Sequence, residues 1–330
     1  MILFVVNDAG PAKYISYILE RLDKKQYICL ASNISSKVFD EFNIDYLLQY
    51  KDINFNNIKL IITGTCLDAG IDKDLLQIGK QNNIKTISII EHWSLYKKRF
   101  ELNGECNYPD IIFLNDEIAK QEAIKDGLDK KNLKIVGNPV FENIVQQNYN
   151  LDDKNRWKRN LQLNNEKRVI TFISEEYKKD FPIESDEYPG FDEFEVVSDL
   201  IENLTIDDIL IIKLHPAEDK SKYGYLEKYK NIKIIRKVDI DKLIVFSDVF
   251  IGMGSMLLLE ASFLRDSVYS YRPNEKLEFI GNINGMTIKL SNEDELKITS
   301  EGKNTEYKIL SNKFINSTQN ILNIIQENIR

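Results

Sequence analysis

Short apolar runs alternate along the chain with segments whose apolar residues recur every three or four positions. MILFVV (1–6) opens the series and reads as a strand covered on both faces. It breaks at Asn7-Asp8-Ala9-Gly10, after which Pro11 occupies a favoured first helical position and Ile15, Ile18, Leu19 and Leu22 mark a helical stripe. YICLAS (27–32), LIIT (60–63), KTISII (85–90), DIIFLN (110–115) and KIVGNP (134–139) continue the strands, with helices expected near 71–81 and 116–126. A polar stretch over 146–166 then interrupts the pattern and reads as a linking helix at a domain boundary. Beyond it RVITFIS (168–174), DILIIKLH (208–215), NIKIIR (231–236), DVFIGM (248–253) and DSVYSY (266–271) form a second series. Strand and helix in alternation predict an α/β protein of two Rossmann-like, doubly wound parallel-sheet domains, 1–147 and 148–330, with strand carboxyl ends facing one cleft. The last helix, about 311–329, carries Phe314, Ile321, Leu322 and Ile325 on one stripe and is expected to pack back on the first domain.

Composition narrows the function classes. A length of 330 residues exceeds the usual single core, which agrees with two domains. The net charge of −8 provides no global field for DNA or anionic lipid, so nucleic acid is not the expected partner and membrane association is at most peripheral. Cys29, Cys66 and Cys106 lie far apart without CxxC spacing, which points to neither disulfides nor a thiolate metal site. No secretory leader or 18-residue uncharged apolar stretch is apparent, and a cytoplasmic protein is expected.

Candidate chemistry falls at the predicted strand ends. IIKLHP (211–216) puts His215 where the backbone leaves the sheet, with Pro216 preventing continuation. SDVFIGMGSMLLLEAS (247–262) reads as a strand, the turn Gly252-Met253-Gly254-Ser255, and a helix opening at Met256 and containing Glu260. Glycines admit close backbone approach and helix-start amides attract anions, so Gly254, Ser255 and Met256 are candidate phosphate contacts; Ser255 as a plain helix cap is the simpler alternative. In SIIEHWSLYKKRF (88–100), Glu91 and His92 follow a buried strand. Trp93 or Tyr96 could stack on a sugar ring, with Trp93 as plain core the alternative, and Lys97, Lys98 or Arg99 could meet a carboxylate or phosphate. Glu91, His92 and Asp8 are the candidate general bases, with Gly10 beside Asp8 in the first turn. Ser174 ends the first strand of the second series and is a further candidate phosphate contact, while Glu175 and Glu176 are expected to be solvated. The acidic, aromatic stretch from Ser174 to Glu195 is expected to be either a surface loop or a lid.

The K-x-HP strand end, followed by SD-x-x-IG-x-GS and a glutamate, resembles the nucleotide-binding half of GT-B fold glycosyltransferases, and more closely bacterial sialyltransferase-type and capsule or lipopolysaccharide sugar transferases. VGNPVF (136–141) resembles the turn by which GT-B proteins and UDP-N-acetylglucosamine 2-epimerases leave the first domain. The resemblance implies a metal-independent glycosyltransferase without cofactor. It would move a sugar, such as a CMP-activated nonulosonic acid, from a nucleotide-sugar donor to a glycan acceptor. His215 and Ser255 would hold the donor phosphate and Glu260 the ribose. Two alternatives stand beside it: a sugar-nucleotide 2-epimerase or hydrolase, and a non-catalytic nucleotide-sugar-binding subunit. The epimerase pattern has an Asp-Ser-Gly-Gly turn where Gly252-Met253-Gly254-Ser255 stands here.

Overall fold

The computed structural model describes the chain except residues 33, 52, 148, 187, 216–217, 266, 277, 302–313 and 330. Pro216 therefore lies outside the described residues, as does the start of the expected last helix. The chain divides into two compact units, Met1–Asn143 with Asn312–Arg330, and Ile144–Ser311.

In chain order the strands are β1 (Ile2–Val6), β2 (Tyr27–Ala31), β3 (Leu60–Thr63), β4 (Lys85–Ile90), β5 (Glu101–Leu102), β6 (Glu105–Cys106), β7 (Ile111–Leu114) and β8 (Leu133–Ile135) in the first unit. The second unit has β9 (Arg168–Ile173), β10 (Asp208–Lys213), β11 (Ile232–Ile235), β12 (Val249–Gly252), β13 (Val268–Tyr271) and β14 (Ile288–Leu290). The first sheet has the order β2-β1-β3-β4-β7-β8 and the second β11-β10-β9-β12-β13-β14, and all their pairs are parallel. Strand order reverses between β1 and β3 in one sheet and between β9 and β12 in the other; such switch points are where open α/β sheets form ligand crevices.

The apolar runs form interior strands because both faces of each sheet are covered. Along β1, Ile2, Phe4 and Val6 belong to one core cluster and Leu3 and Val5 to another on the opposite face. In the second unit, alternate residues Ile170 and Phe172 of β9, Leu210 and Ile212 of β10, and Val249 and Ile251 of β12 share a core. Each such side chain, once buried, contributes roughly 1.5–3 kcal/mol. The helix Ser317–Ile329 belongs to the first unit, where Ile321, Leu322 and Ile325 join the β1 core. The Glu142 carboxylate fixes its start by accepting from the amides of Asn316 (2.8 Å) and Thr318 (2.9 Å).

Three features depart from the sequence expectation. The hairpin β5–β6 and the edge strand β14 are too short, and too little buried, to leave an apolar run; only Leu290 of β14 is buried. The stretch from Ser174 to Glu195 is a surface loop only in its middle, and its two ends are built into the second unit. It forms a short helix (Tyr177–Asp180), inserts Phe191 into the core and buries Glu193 as the next helix, Glu193–Glu202, begins. Between these ends residues 178–180 and 182–184 are exposed, Ile183 at 70%.

Candidate functional site

In the first unit, β1 ends at Asn7-Asp8 and β4 at Glu91-His92. Asp8 occupies the position before the helix Ala9–Leu19, yet its side chain makes no capping hydrogen bond. It accepts instead from the Asn7 amide at 3.1 Å. Its carboxyl is held above the ordinary aspartate range, first by burial and then by Glu91; Asn7 and Arg99 oppose the shift. Glu91 lies against the helix start, because a side chain on Gly10 would place its Cβ 2.9 Å from Glu91 Oε1. The same Oε1 is 3.3 Å from His92 Nε2, and Oε2 is buried without a hydrogen-bond partner among the described residues. Asn115 anchors this strand end by donating to the Glu91 carbonyl at 2.8 Å.

Arg99 is 5% exposed and donates from Nε to the Ser94 carbonyl at 3.3 Å. Burial lowers its pKa, while Glu91, Tyr96 and Asp8 counteract that by favouring the cation. Two carboxylates, one imidazole and one desolvated guanidinium thus meet at one edge of the first sheet. Such a group can take up and return protons and can orient an anionic or hydroxylated ligand.

Sequence reasoning missed the neighbours contributed by β3. The Asp72 carboxylate accepts from the Cys66 amide at 2.8 Å and from its thiol at 3.1 Å. Burial raises the Asp72 carboxyl and, most of all, the Cys66 thiol, which stays protonated. A Cβ on Gly70 would lie within 3 Å of Asp72, Cys66 and Asn7, so this glycine lets the β3 loop close on the β1 loop. The signal was present in GTCLDAGID directly after LIIT, but it required knowing that β3 neighbours β1.

Trp93 is not a platform for a sugar ring. It is 1% exposed, donates from Nε1 to Asp116 Oδ2 at 3.1 Å, and stacks on Phe141. A ring whose faces already pack in the core has none to offer a ligand.

In the second unit, β9 delivers Ser174 and Glu175 beside the turn that follows β12, at the switch point of that sheet. Ser174 is 1% exposed, and its hydroxyl donates to Glu218 Oε1 at 2.7 Å beside Tyr223. It is therefore used internally and is not presented to a phosphate. Glu218 also accepts from the His215 amide and from Lys222, both at 2.5 Å; Lys222 in turn pairs with Glu193 at 2.6 Å. His215 itself is exposed.

Glu175, expected to be solvated, accepts from the Gly254 amide at 2.9 Å through Oε1. Burial pushes its carboxyl up to about 7, against the lowering effects of the Gly254 amide and Arg272. Arg272 follows β13 and donates to the Tyr177 hydroxyl at 3.1 Å, to the Met253 carbonyl at 3.2 Å and to Glu275 at 2.5 Å. Tyr177 and Arg272 close over Gly254, where an added Cβ would fall 2.4 Å from the Tyr177 hydroxyl. Ser255 caps the helix Met256–Ser262, its Oγ accepting from the Leu257 amide at 3.3 Å; Met256 and Glu260 are half-buried on that helix. Arg272 was legible only as a cation after DSVYSY, and nothing in the sequence tied it to Tyr177, 95 residues away.

Among the described residues, no cluster of three or more His, Cys, Asp and Glu side chains is arranged to hold a metal, and no helix is long and apolar enough to cross a membrane. A cavity of about 610 Å³ lies at the amino ends of β10 and β11, lined by Lys167, Ile209, Tyr229, Lys230 and Ile232. It is at the opposite end of the second sheet from Glu175 and Gly254.

No family model matches the chain, and no curated protein matches it. Solved structures do. UDP-GlcNAc 2-epimerase from Methanocaldococcus jannaschii superposes with a TM-score of 0.68 at 16% identity, covering 99% of this chain and 100% of that one. S. aureus MnaA, solved with UDP, gives 0.65 at 14% identity over 99% and 96% of the two chains. Anabaena HepE, solved with UDP and glucose, gives 0.58 at 11% over 99% and 95%. At these identities the likeness establishes the shared two-unit α/β fold.

Proposed function

We propose that the protein acts on a UDP-activated N-acetylhexosamine and changes the configuration at C2, as a 2-epimerase-type enzyme. The observation that carries this reading is the pair Asp8 and Glu91, beside His92 and under the field of Arg99, in a fold similar to that of solved UDP-GlcNAc 2-epimerases. No carbonyl stands beside C2, so inversion balances when the C2 proton leaves as the C1–O bond to UDP breaks and a C1=C2 double bond forms, and a proton then returns to the opposite face of C2 as UDP re-adds at C1. This calls for an acid–base group on each face. An aspartic acid with a raised pKa can release a proton, and a carboxylate with a buried oxygen lacking a partner can accept one. His215, Ser255 and Glu260 in the second unit are the groups we assign to the nucleotide, while Ser174 and Trp93 leave the set because their polar atoms are engaged internally.

The neighbours named above support a UDP compound rather than the CMP-activated nonulosonic acid expected from the sequence. A sugar transfer to a glycan is the second reading, favoured by the turn Gly252-Met253-Gly254-Ser255 in place of Asp-Ser-Gly-Gly. Incubation with UDP-GlcNAc alone in deuterated water decides between them. Epimerisation gives a new N-acetylhexosamine carrying deuterium at C2 by NMR, and Glu91→Gln and Asp8→Asn each abolish it. No exchange without an acceptor, together with transfer when a glycan is added, would replace this reading by the transferase one.

A further inference from the structure

We propose that Glu175 is a built-in anion that holds the switch-point turn of the second unit closed, and that a sugar nucleotide binds there only as Glu175 takes up a proton. The inference rests on the sugar-nucleotide reading for the identity of the ligand, and on the geometry below for the coupling.

The β9–β12 switch point is where a ligand crevice is expected in this strand order. The position is taken by a carboxylate of the chain itself. Glu175 Oε1 accepts from the Gly254 amide at 2.9 Å, and Tyr177, two residues on, is tied over the same glycine by Arg272 at 3.1 Å. A phosphate seeking the Gly254 amide therefore meets an acceptor already in place, and one of its own charge sign.

The charges facing Glu175 come from several elements. Arg272 after β13 favours the carboxylate, but its Nε is committed to Glu275. Glu218 after β10 opposes it and is itself paired with Lys222, which also pairs with Glu193 and donates to the Glu175 backbone carbonyl at 3.1 Å. Tyr177 is neutral, burial having raised its hydroxyl. One shared arginine does not offset the enclosure of the carboxyl, and the group protonates near 7. Once protonated, Glu175 is a weaker acceptor for Gly254 and can donate to a phosphate oxygen, so a dianionic diphosphate stabilises the protonated form.

The test is equilibrium binding of UDP-GlcNAc, whose diphosphate has no titrating proton across the window, at about pH 6 and about pH 8.5 in buffers of different ionisation enthalpy. Wild type should bind about 30-fold more weakly at the higher pH and take up about half a proton per ligand at about pH 7, rising to about one at about pH 8.5. Glu175→Gln keeps an oxygen for Gly254 and should bind equally at both pH values within about threefold. Glu176→Gln removes a neighbouring half-buried acid paired with Lys179 and should retain the wild-type dependence. Binding by wild type that is independent of pH and of buffer overturns the coupling alone, as does an equally steep dependence in Glu175→Gln. No binding at either pH overturns the sugar-nucleotide reading together with the coupling.

Discussion

Between about pH 4.5 and about pH 7 the second unit should lose stability that the Glu175→Gln variant keeps. In the unfolded chain Glu175 titrates at its ordinary value of 4.5, while in the folded chain burial raises it to about 7. Because the folded state binds the proton more tightly, the stabilising contribution is complete below the unfolded value. It falls as pH rises toward 7 and is gone above it. The difference of about 2.5 units corresponds to about 3 kcal/mol, and the residual exposure of the residue trims this to about 2–3 kcal/mol. The two tryptophans allow the second unit to be observed separately, since Trp93 lies in the first unit and Trp157 packs on Phe246 in the second. In a Trp93→Phe background, urea unfolding followed by Trp157 fluorescence at about pH 5 and about pH 8 compares the protein with and without Glu175→Gln. The pH-dependent loss should be larger with Glu175 present by about 2–3 kcal/mol, a midpoint difference of about 1 M urea. Other titrating groups cancel between the two proteins. Parallel losses would refute the enclosed-carboxyl reasoning.

Three further outcomes test the remaining assignments. Trp93→Phe should cost about 1–2 kcal/mol of stability in urea, through the buried bond to Asp116, and should leave turnover of UDP-GlcNAc within about threefold; a selective loss of turnover would restore the sugar-platform role. Gly10→Ala sits in an ordinary helical position, so stability by thermal unfolding should change by less than about 1 kcal/mol. Its Cβ would press on Glu91 Oε1, 2.9 Å away, and turnover should fall at least about tenfold; unchanged turnover would remove Glu91 from the chemistry. Gly137→Ala should destabilise the first unit by about 2–4 kcal/mol in denaturant titration, because φ is +88° there and the new Cβ would overlap Ser317 Oγ at 2.1 Å; a cost below about 1 kcal/mol would show that the helix Ser317–Ile329 yields easily.

The apolar runs were sufficient to place eleven strands of the two main sheets, LIIT and KTISII without any offset and β8 only at the start of KIVGNP, because a strand covered on both faces is mostly apolar and its few polar residues, such as Thr86 and Ser88, are small and buried. The edge strand β14 and the hairpin β5–β6 left no such run. The residues at strand ends were equally legible: Asp8, Glu91 and Glu175 all follow apolar runs. Their states were not. Periodicity treats Trp93 and Trp157 alike, and gives Ser174 a polar end position without showing that Glu218, 44 residues later, takes its hydroxyl.

What the sequence determined by itself was the alternation of strands and helices, hence two parallel sheets, and the set of side chains standing at their carboxyl ends. Only the tertiary structure decided which of those side chains meet, because strand order is not chain order: β3 brings Asp72 and Cys66 beside Asn7, and β12 brings Gly254 beside Glu175. Enclosure then set the chemistry. The same acidic residue is a solvated surface charge when read along the chain and a protonatable group at the switch point once desolvation raises the cost of its charge.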